Sequence, residues 1–277
     1  MRYQYILLLA ISVSAVSSCT INPANEKLPD IVVCLGDDHG VYHSTPYGSK
    51  MVQTPNMQFL ADKGLKFHNA YVASPSWAPS RAALFTGLMP YNNGIVGNHE
   101  KVRKPGVKPL LPLMAAKGYE IAWYGKVGHG PGSESGKVTI IPRAAKSSRL
   151  DINDVEKWVA ARPDPDKPLL LFVGSRYPHR PWPEPKEARV KADAIEVPDK
   201  TFDTRVVRSE MRRYVEAVEI LDRKIGHVRK IVDKHLDPDN TLIMYSSDHG
   251  QAWPFGKWSL YEAGIRTPLL IFWPGKI

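Results

Sequence analysis

Cysteine is scarce in this chain, since only Cys19 and Cys34 occur among its 277 residues. Cys19 lies at the end of a segment with the features of a leader, which leaves Cys34 alone and excludes an internal disulfide framework. Beyond the N-terminus, no segment reaches the ~18–20 uninterrupted apolar residues that a membrane-spanning helix requires. Internal repeats and low-complexity tracts are also absent. The folded part must therefore be held together by an ordinary hydrophobic core.

The first 18 residues have the pattern of a secretory signal peptide. Arg2 supplies a positive charge, and an apolar run followed by small residues comes next. The segment from Val16 to Cys19 is typical of a bacterial lipobox, in which the cysteine is lipidated. A plain signal peptide with an incidental cysteine is the alternative. Because Thr20 stands where an inner-membrane retention signal carries aspartate, we predict an exported protein of the periplasm or cell envelope, anchored as an outer-membrane lipoprotein.

The chain is strongly basic, with a formal net charge of +9 at pH 7. A basic exported protein suits anionic partners such as sulfated or uronic polysaccharides, although a solvated surface without a partner has the same composition. Nucleic acid is not an expected partner outside the cytoplasm, and contact with a membrane is expected through the lipid anchor alone. Charge thus indicates a class of partner without naming one.

Short apolar runs alternate with amphipathic helical patterns along the rest of the chain. Several runs are apolar on both faces, which is typical of strands in a buried parallel sheet. The predicted strands are Asp30–Leu35, Leu65–Val72, Tyr119–Tyr124, Pro168–Ser175, Thr241–Ser246 and Pro268–Trp273. The predicted helices follow Thr54, run over Leu110–Lys117, follow Asp151 to about Arg162, and run from about Ser209 to Leu236. This alternation predicts a doubly wound α/β fold, with a mostly parallel central sheet and helices on both faces.

Acidic residues follow two of the predicted strands. Asp37 and Asp38 come after the first strand, and Asp248 and His249 come after the fifth. In open α/β sheets ligands bind beyond the carboxyl ends of the strands, so these four side chains are expected to converge there. Carboxylates that converge repel one another unless a cation neutralises them, and oxygen ligands suit Ca²⁺ or Mg²⁺. Ordinary turn chemistry at strand ends is the alternative.

Basic residues fall at the same predicted edge. Lys126 and His129 follow the third strand, His179 follows the fourth, Lys257 comes shortly after the fifth, and Arg81 lies in "SPSWAPSRAALFTG". Each lysine or histidine alone fits a solvated loop. Together around a metal they predict a site that binds a tetrahedral oxyanion and stabilises charge on a leaving group.

Six blocks of this sequence resemble the sulfatases of the alkaline phosphatase superfamily, in family order and with similar spacing. The blocks are "DIVVCLGDDHG", "TPNMQFLADKGLKFHNAYV", "SPSWAPSRAALFTG", "GYEIAWYGKVGHG", "YPHRPW" and "SDHGQAWPFGKWSLYEAGIRTPLLIFWPG". Among subgroups the chain is similar to the glycosaminoglycan-type enzymes, namely the iduronate-sulfatase and sulfamidase branches. The resemblance implies a sulfuric ester hydrolase acting on sulfated polysaccharide. After the predicted signal peptide at residues 1–18 and a linker at 19–29, the resemblance implies a catalytic domain at 30–277 that stops before a smaller C-terminal α/β subdomain.

The resemblance implies a role for each candidate residue. Four residues match the family's calcium ligands: Asp37, Asp38, Asp248 and His249, the last standing where many members have asparagine. Arg81 matches the residue that holds the oxygens of the nucleophile, and Lys126 and His129 match groups that support the nucleophile. His179 and Lys257 match residues that grip the sulfate and assist departure of the alcohol.

The nucleophile position is where the chain departs from the family. Sulfatases carry Cys-x-Pro-Ser-Arg, or a serine in the first place, and oxidise that residue to formylglycine; here the residue is Trp77. An indole cannot become an aldehyde, so we expect impaired hydrolysis. Ser74 and Ser76 are nearby hydroxyls, but a shift of one residue at the start of a helix turns a side chain about 100° away. Cys34 lies inside the first strand and is expected to be buried.

Two other functions stay open at this point. A non-catalytic surface lipoprotein could bind sulfated glycan through the same metal and basic cleft. A phosphate or phosphonate hydrolase of the same superfamily fits less well, because it too needs a nucleophile and the motifs are sulfatase-like.

Overall fold

A computed structural model describes residues 27–100, 103–128, 150–185, 195–198 and 201–277. The predicted signal peptide, lipidated Cys19 and His129 lie outside these residues. Among the described residues, none of the helices combines the length and apolar character that crossing a bilayer requires.

A six-stranded sheet forms the centre of the described chain. Its strands are β1 (Asp30–Gly36), β2 (Leu65–Lys66), β3 (Glu120–Gly125), β4 (Leu169–Gly174), β5 (Thr241–Ser247) and β6 (Leu269–Phe272). They lie in the order β2-β6-β5-β1-β4-β3. The pairs β1–β4, β1–β5 and β3–β4 are parallel, whereas β6 is antiparallel to both β5 and β2. The prediction of a mostly parallel sheet is confirmed.

Seven α-helices connect or flank these strands in the described residues. They are α1 (Pro55–Lys63), α2 (Trp77–Thr86), α3 (Pro90–Asn93), α4 (Leu110–Ala116), α5 (Ile152–Ala160), α6 (Arg205–His235) and α7 (Glu262–Ile265). Short 3-10 helices occur at Val41–His43, Thr45–Tyr47 and Pro238–Asn240.

Alternate residues of β1 face two hydrophobic cores. Val32 and Cys34 pack with residues of α1, α5 and α6, and Val33 and Leu35 pack with Phe85 of α2 and with α4. This division follows from the pleat of a strand, which sends successive side chains to opposite faces. The sheet is therefore covered on both faces, as predicted.

The structure differs from the sequence-based prediction at several element ends. The second strand was expected to span Leu65–Val72, but β2 contains two residues and is followed by an isolated bridge between Tyr71 and Arg266. The longest helix begins at Arg205 rather than Ser209, because the Thr204 side chain accepts a hydrogen bond from the Val207 amide and caps it.

The N-terminus of α1 is capped from another helix. Thr54 occupies the predicted N-cap position, but its side chain makes no capping hydrogen bond and instead donates to Thr45. The carboxylate of Asp222 on α6 accepts from the Met57 amide at 2.8 Å and from the Asn56 amide at 3.2 Å. A buried acid at the positive end of a helix satisfies donors that have no partner within that helix.

We predict that Asp222→Ala lowers the free energy of unfolding by about 2–3 kcal/mol, because it leaves buried amides of α1 without an acceptor. Urea unfolding followed by circular dichroism measures this change. Asp233→Ala, on an exposed part of the same helix, is the matched control and should cost less than about 0.5 kcal/mol. Equal effects of the two substitutions would contradict the capping role.

Candidate functional site

Four acid and imidazole side chains meet at the carboxyl ends of β1 and β5. These strands pair in parallel, with Gly36 opposite Ser247, so the residues that follow each strand emerge side by side. One ligand atom from each of Asp37, Asp38, Asp248 and His249 lies within 4.8 Å of the others, and all four residues are buried. Residues more than 200 positions apart in the chain thus form one cluster.

Arg81 of α2 is the fully buried cation of this cluster. Its Nε donates to Oδ2 of Asp248 at 2.9 Å, and its Nη2 lies 3.7 Å from Oδ1 of Asp37. Its Nη1 donates to the backbone carbonyls of Lys126 at 2.5 Å and Val127 at 2.6 Å. The guanidinium therefore joins the ends of β1, β3 and β5 and offsets part of the negative charge between them.

Two lysines at the rim contact the same carboxylates. Nζ of Lys126 donates to Oδ2 of Asp37 at 2.5 Å, and Nζ of Lys257 donates to Oδ1 of Asp38 at 2.8 Å. Their side chains retain 21% and 10% exposure, so both ammonium groups lie between the acid cluster and solvent. An anion that enters from solvent would meet these charges first.

The carboxylates of the cluster do not ionise independently. Burial and the neighbouring Asp248 carboxylate raise the pKa of Asp37 to about 8, although Arg81 and Lys126 act in the opposite direction. Burial also opposes ionisation of Asp248, but His249, Arg81 and Lys126 hold the pKa of Asp248 well below its ordinary value. The site can therefore accept further positive charge.

Two buried ligand atoms have no hydrogen-bond partner among the described residues, namely Oδ1 of Asp37 and Nε2 of His249. Nδ1 of His249 lies 2.9 Å from the Gly250 carbonyl, which can only accept, so Nδ1 carries the hydrogen. Nε2 is then the ring atom directed at the acids, 3.4 Å from Oδ1 of Asp38 and 3.7 Å from Oδ1 of Asp248. A ring nitrogen and a carboxylate oxygen that are buried together without hydrogen-bond partners are the kind of atoms that ligate a divalent metal, so these residues fit such an ion.

Trp77 begins α2 beside this cluster. Its ring centroid lies 5.2 Å from Nζ of Lys126, and the partly buried indole packs against Ala78, Ala82 and Ile95. The cation and the aromatic face attract each other. Lys126 is thereby held between the indole and the carboxylate of Asp37.

Three more residues were singled out by the sequence analysis, namely His179, Cys34 and His129. His179 is half-buried after β4, where its Nδ1 lies 2.5 Å from the Arg180 carbonyl. Burial lowers its pKa, and it interacts electrostatically with Asp38, Lys126 and Lys257. Cys34 is buried, and burial raises the pKa of its thiol to about 12. His129 lies outside the described residues.

The hydroxyl of Ser76 is not directed as a nucleophile. It donates at 2.6 Å to Oδ1 of Asn98, which also accepts from the Ala78 amide. Asn98 thus accepts hydrogen bonds from the residues at the start of α2. As an isolated asparagine in a loop, it carried no sequence pattern that would predict this role. Ser80 was also missed; its hydroxyl donates to the backbone carbonyl of Asp248.

His39 is a further buried residue that the sequence analysis did not single out. Its Nδ1 lies 2.5 Å from the hydroxyl of Tyr245, and its Nε2 lies 2.7 Å from the His43 carbonyl. Its position directly after Asp38 was the available signal. These contacts fix the turn that carries Asp37 and Asp38.

Comparison with known proteins identifies the family. The model of the sulfatase family matches residues 29–277. This chain belongs to the sulfatase family. Homologues in the sulfatase family are sulfuric ester hydrolases that act on sulfated polysaccharides and glycosaminoglycans.

Individual sulfatases resemble the chain over most of its length. An ulvan-active sulfatase of Formosa agariphila is 32% identical over 92% of this chain and 50% of its own. Human N-sulphoglucosamine sulphohydrolase is 27% identical over 92% of this chain and 56% of its own. The solved structure of a protein bound to its substrate D-glucosamine-2-N,6-O-disulfate has a TM-score of 0.70 at 21% identity, over 91% of this chain and 72% of that one. The chain spans about half the length of the two curated sulfatases.

Formylglycine, which the family resemblance implies, does not fit this chain. The position that the resemblance assigns to its precursor is Trp77, whose indole ring lies 5.2 Å from Nζ of Lys126. No step of a reaction can be assigned to an aldehyde here.

We predict that excess Ca²⁺ raises the Tm of the chelator-treated chain, because an ion that binds only the folded state stabilises it, by about 2.7 kcal/mol at one hundred times Kd. Asp37→Asn removes one carboxylate of the acid cluster and should abolish most of the shift. Scanning calorimetry with and without Ca²⁺ measures it. Asp62→Asn, at an exposed acid of α1, should retain the full shift, and an undiminished shift in Asp37→Asn would exclude the cluster as the ion site.

Proposed function

We propose that this sulfatase-family chain binds a sulfate ester of a polysaccharide at the acid cluster and its rim of cations, and that its hydrolytic step is impaired. The observation that carries the proposal is the contact between Lys126 and the indole of Trp77, at the edge of a cluster suited to a divalent cation. The binding groups are present, whereas the residue that would start covalent chemistry is replaced.

The proposed metal ligands are Asp37, Asp38, Asp248 and His249, and Ca²⁺ is the proposed ion, with Mg²⁺ as the alternative. Carboxylate oxygens dominate the set, and both ions prefer oxygen ligands. When bound, such an ion supplies Lewis-acid polarisation of a sulfate oxygen. Its charge would also remove the repulsion among the buried carboxylates.

The chain's own cations would hold the sulfate group. Lys126 reaches the cluster from the end of β3 and Lys257 from the segment after β5, and both remain partly exposed, so their ammonium groups can exchange a carboxylate for an incoming anion. His179 interacts with the same charges, and its proposed role is to help grip the sulfate group beside them. Arg81, fully buried and fully engaged, would keep the acidic residues in place.

The proposed impairment follows from the chemistry of Trp77. An indole has no hydroxyl or thiol that can attack sulfur, and no oxidation converts it to an aldehyde. Ser76, the adjacent hydroxyl, is engaged with Asn98. Loss of the nucleophile from a covalent mechanism typically removes several orders of magnitude in rate.

Sulfated polysaccharide is the proposed ligand class on two grounds. The related enzyme of Formosa agariphila is described as ulvan-active, and the human relative as a sulphoglucosamine sulphohydrolase. The net charge of +9 also suits a polyanion.

A non-catalytic lipoprotein that captures sulfated glycan is the second candidate, favoured by the same replacement at Trp77. In that case Cys19 would carry the lipid, and the chain would hold glycan at the cell envelope without cleaving it.

The decisive experiment is an aryl sulfatase assay of the chain and of Trp77→Cys, each co-expressed with a formylglycine-generating enzyme and supplied with Ca²⁺. We expect turnover in Trp77→Cys to exceed that of the starting chain by on the order of a thousandfold or more, because the substitution restores a precursor of the nucleophile. Trp77→Ala, which opens the same space without a reactive atom, is the matched control and should stay inactive.

Each outcome separates the candidates. Turnover by the unmodified chain at the level of Trp77→Cys would refute impairment. If neither protein shows turnover but the chain binds ulvan oligosaccharides in a Ca²⁺-dependent way, the glycan-binding lipoprotein is favoured.

A further inference from the structure

An exposed tryptophan lies directly beside the proposed sulfate site. Trp258 follows Lys257, whose Nζ lies 2.8 Å from Oδ1 of Asp38 and 5.7 Å from the centroid of the Trp258 ring. The Trp258 amide donates at 2.8 Å to the carbonyl of Pro75, in the segment that leads into α2. The backbone of Trp258 is therefore tied to the segment that leads into α2, and its ring lies near the ammonium of Lys257.

The backbone that presents this ring is strained. Trp258 has φ 68°, and Phe255 in the same loop has φ 62°, values that bulky residues seldom adopt. Trp258 is nevertheless 71% exposed, so burial of its ring does not offset the strain. Strain without a gain in packing is typical of residues that are held in place for a ligand.

The loop around Trp258 is fixed by its own hydrogen bonds. Lys257 N donates to the Gln251 carbonyl at 2.8 Å, and the Ser259 hydroxyl donates to the Phe255 carbonyl at 2.6 Å. A Cβ on Gly256 would lie 2.1 Å from the Gln251 carbonyl oxygen, so this backbone is tightly packed. An exposed ring on a fixed loop can bind without a further loss of backbone freedom.

We propose that Trp258 is a stacking subsite for the pyranose ring of a sulfated saccharide whose ester group lies at Lys257. An indole presents a flat, electron-rich face, and the axial C–H groups of a sugar carry the complementary partial positive charge. The ammonium of Lys257 lies near both the ring and the acid cluster, which places the anionic and apolar parts of one ligand at adjacent groups. This inference rests on the proposed function, because it assigns the sugar that carries the sulfate.

The test compares binding of two probes by isothermal titration calorimetry in Ca²⁺: ulvan oligosaccharides, and methyl sulfate, which lacks a ring. Trp258→Asn removes the ring and inserts a residue that tolerates positive φ. We expect it to weaken oligosaccharide binding about tenfold, the loss of one aromatic contact, with methyl sulfate binding unchanged. Trp258→Tyr, which keeps a ring, should retain most of the affinity.

Phe202→Ala is the matched control, because Phe202 is a similarly exposed ring, 88% accessible, in the segment before α6; it should leave both affinities unchanged. Oligosaccharide affinity that survives Trp258→Asn would overturn the subsite while leaving the proposed function intact. Failure of the starting chain to bind either probe would overturn both. A Tm of Trp258→Asn several degrees lower would also overturn the subsite, since it would show that the ring serves packing.

Discussion

Three carboxylates share one buried pocket, and the compensation of their charge constrains the arrangement of the rest of the structure. Arg81 meets this requirement from inside, with Nε on Asp248 and Nη1 on the carbonyls that follow β3. Removal of one member of such a set leaves an uncompensated buried charge, which is strongly destabilising. The position of α2 is therefore fixed by electrostatics as well as by the packing of Phe85 against the sheet. Trp77, four residues before Arg81, takes its place beside Lys126 as a consequence.

The parallel sheet brings residues that are far apart in the sequence into one site. Parallel pairing of β1 with β5 brings Asp37 and Asp248 together, although they lie in different thirds of the chain. Pairing of β3 with β4 ends at Gly125 and Gly174, where a Cβ on Gly174 would lie 2.0 Å from the Lys126 carbonyl. The absence of a side chain there lets the chain after β3 pass close enough for Arg81 to reach it.

Sequence periodicity predicted the buried parallel strands and, from the acids that follow two of them, the convergence at the site, because burial on both faces of a parallel sheet leaves a continuous apolar run that ends abruptly. It did not predict the extent of β2, which has two residues instead of eight. It could not predict contacts that belong to tertiary structure alone. Asp222 caps α1 across 165 residues, and Asn98 accepts hydrogen bonds at the start of α2; both positions look like ordinary polar residues in the sequence. The sequence motifs identified Lys126 and Trp77 separately, but only the fold shows that the ammonium of Lys126 lies over the indole of Trp77. His129 and the leader stay predictions.

Buried charge is a costly way to stabilise a domain, since well-packed apolar side chains of similar volume often do as well or better. The acid cluster, with Oδ1 of Asp37 and Nε2 of His249 left without hydrogen-bond partners in the described chain, is therefore better explained by an occupant than by folding. Trp258 follows the same logic at the surface, because its strained backbone gains little burial. Each feature carries an unfavourable free energy that binding can offset. A cation would compensate the buried carboxylates, a sugar ring would add apolar contact at Trp258, and neither requires a nucleophile at position 77.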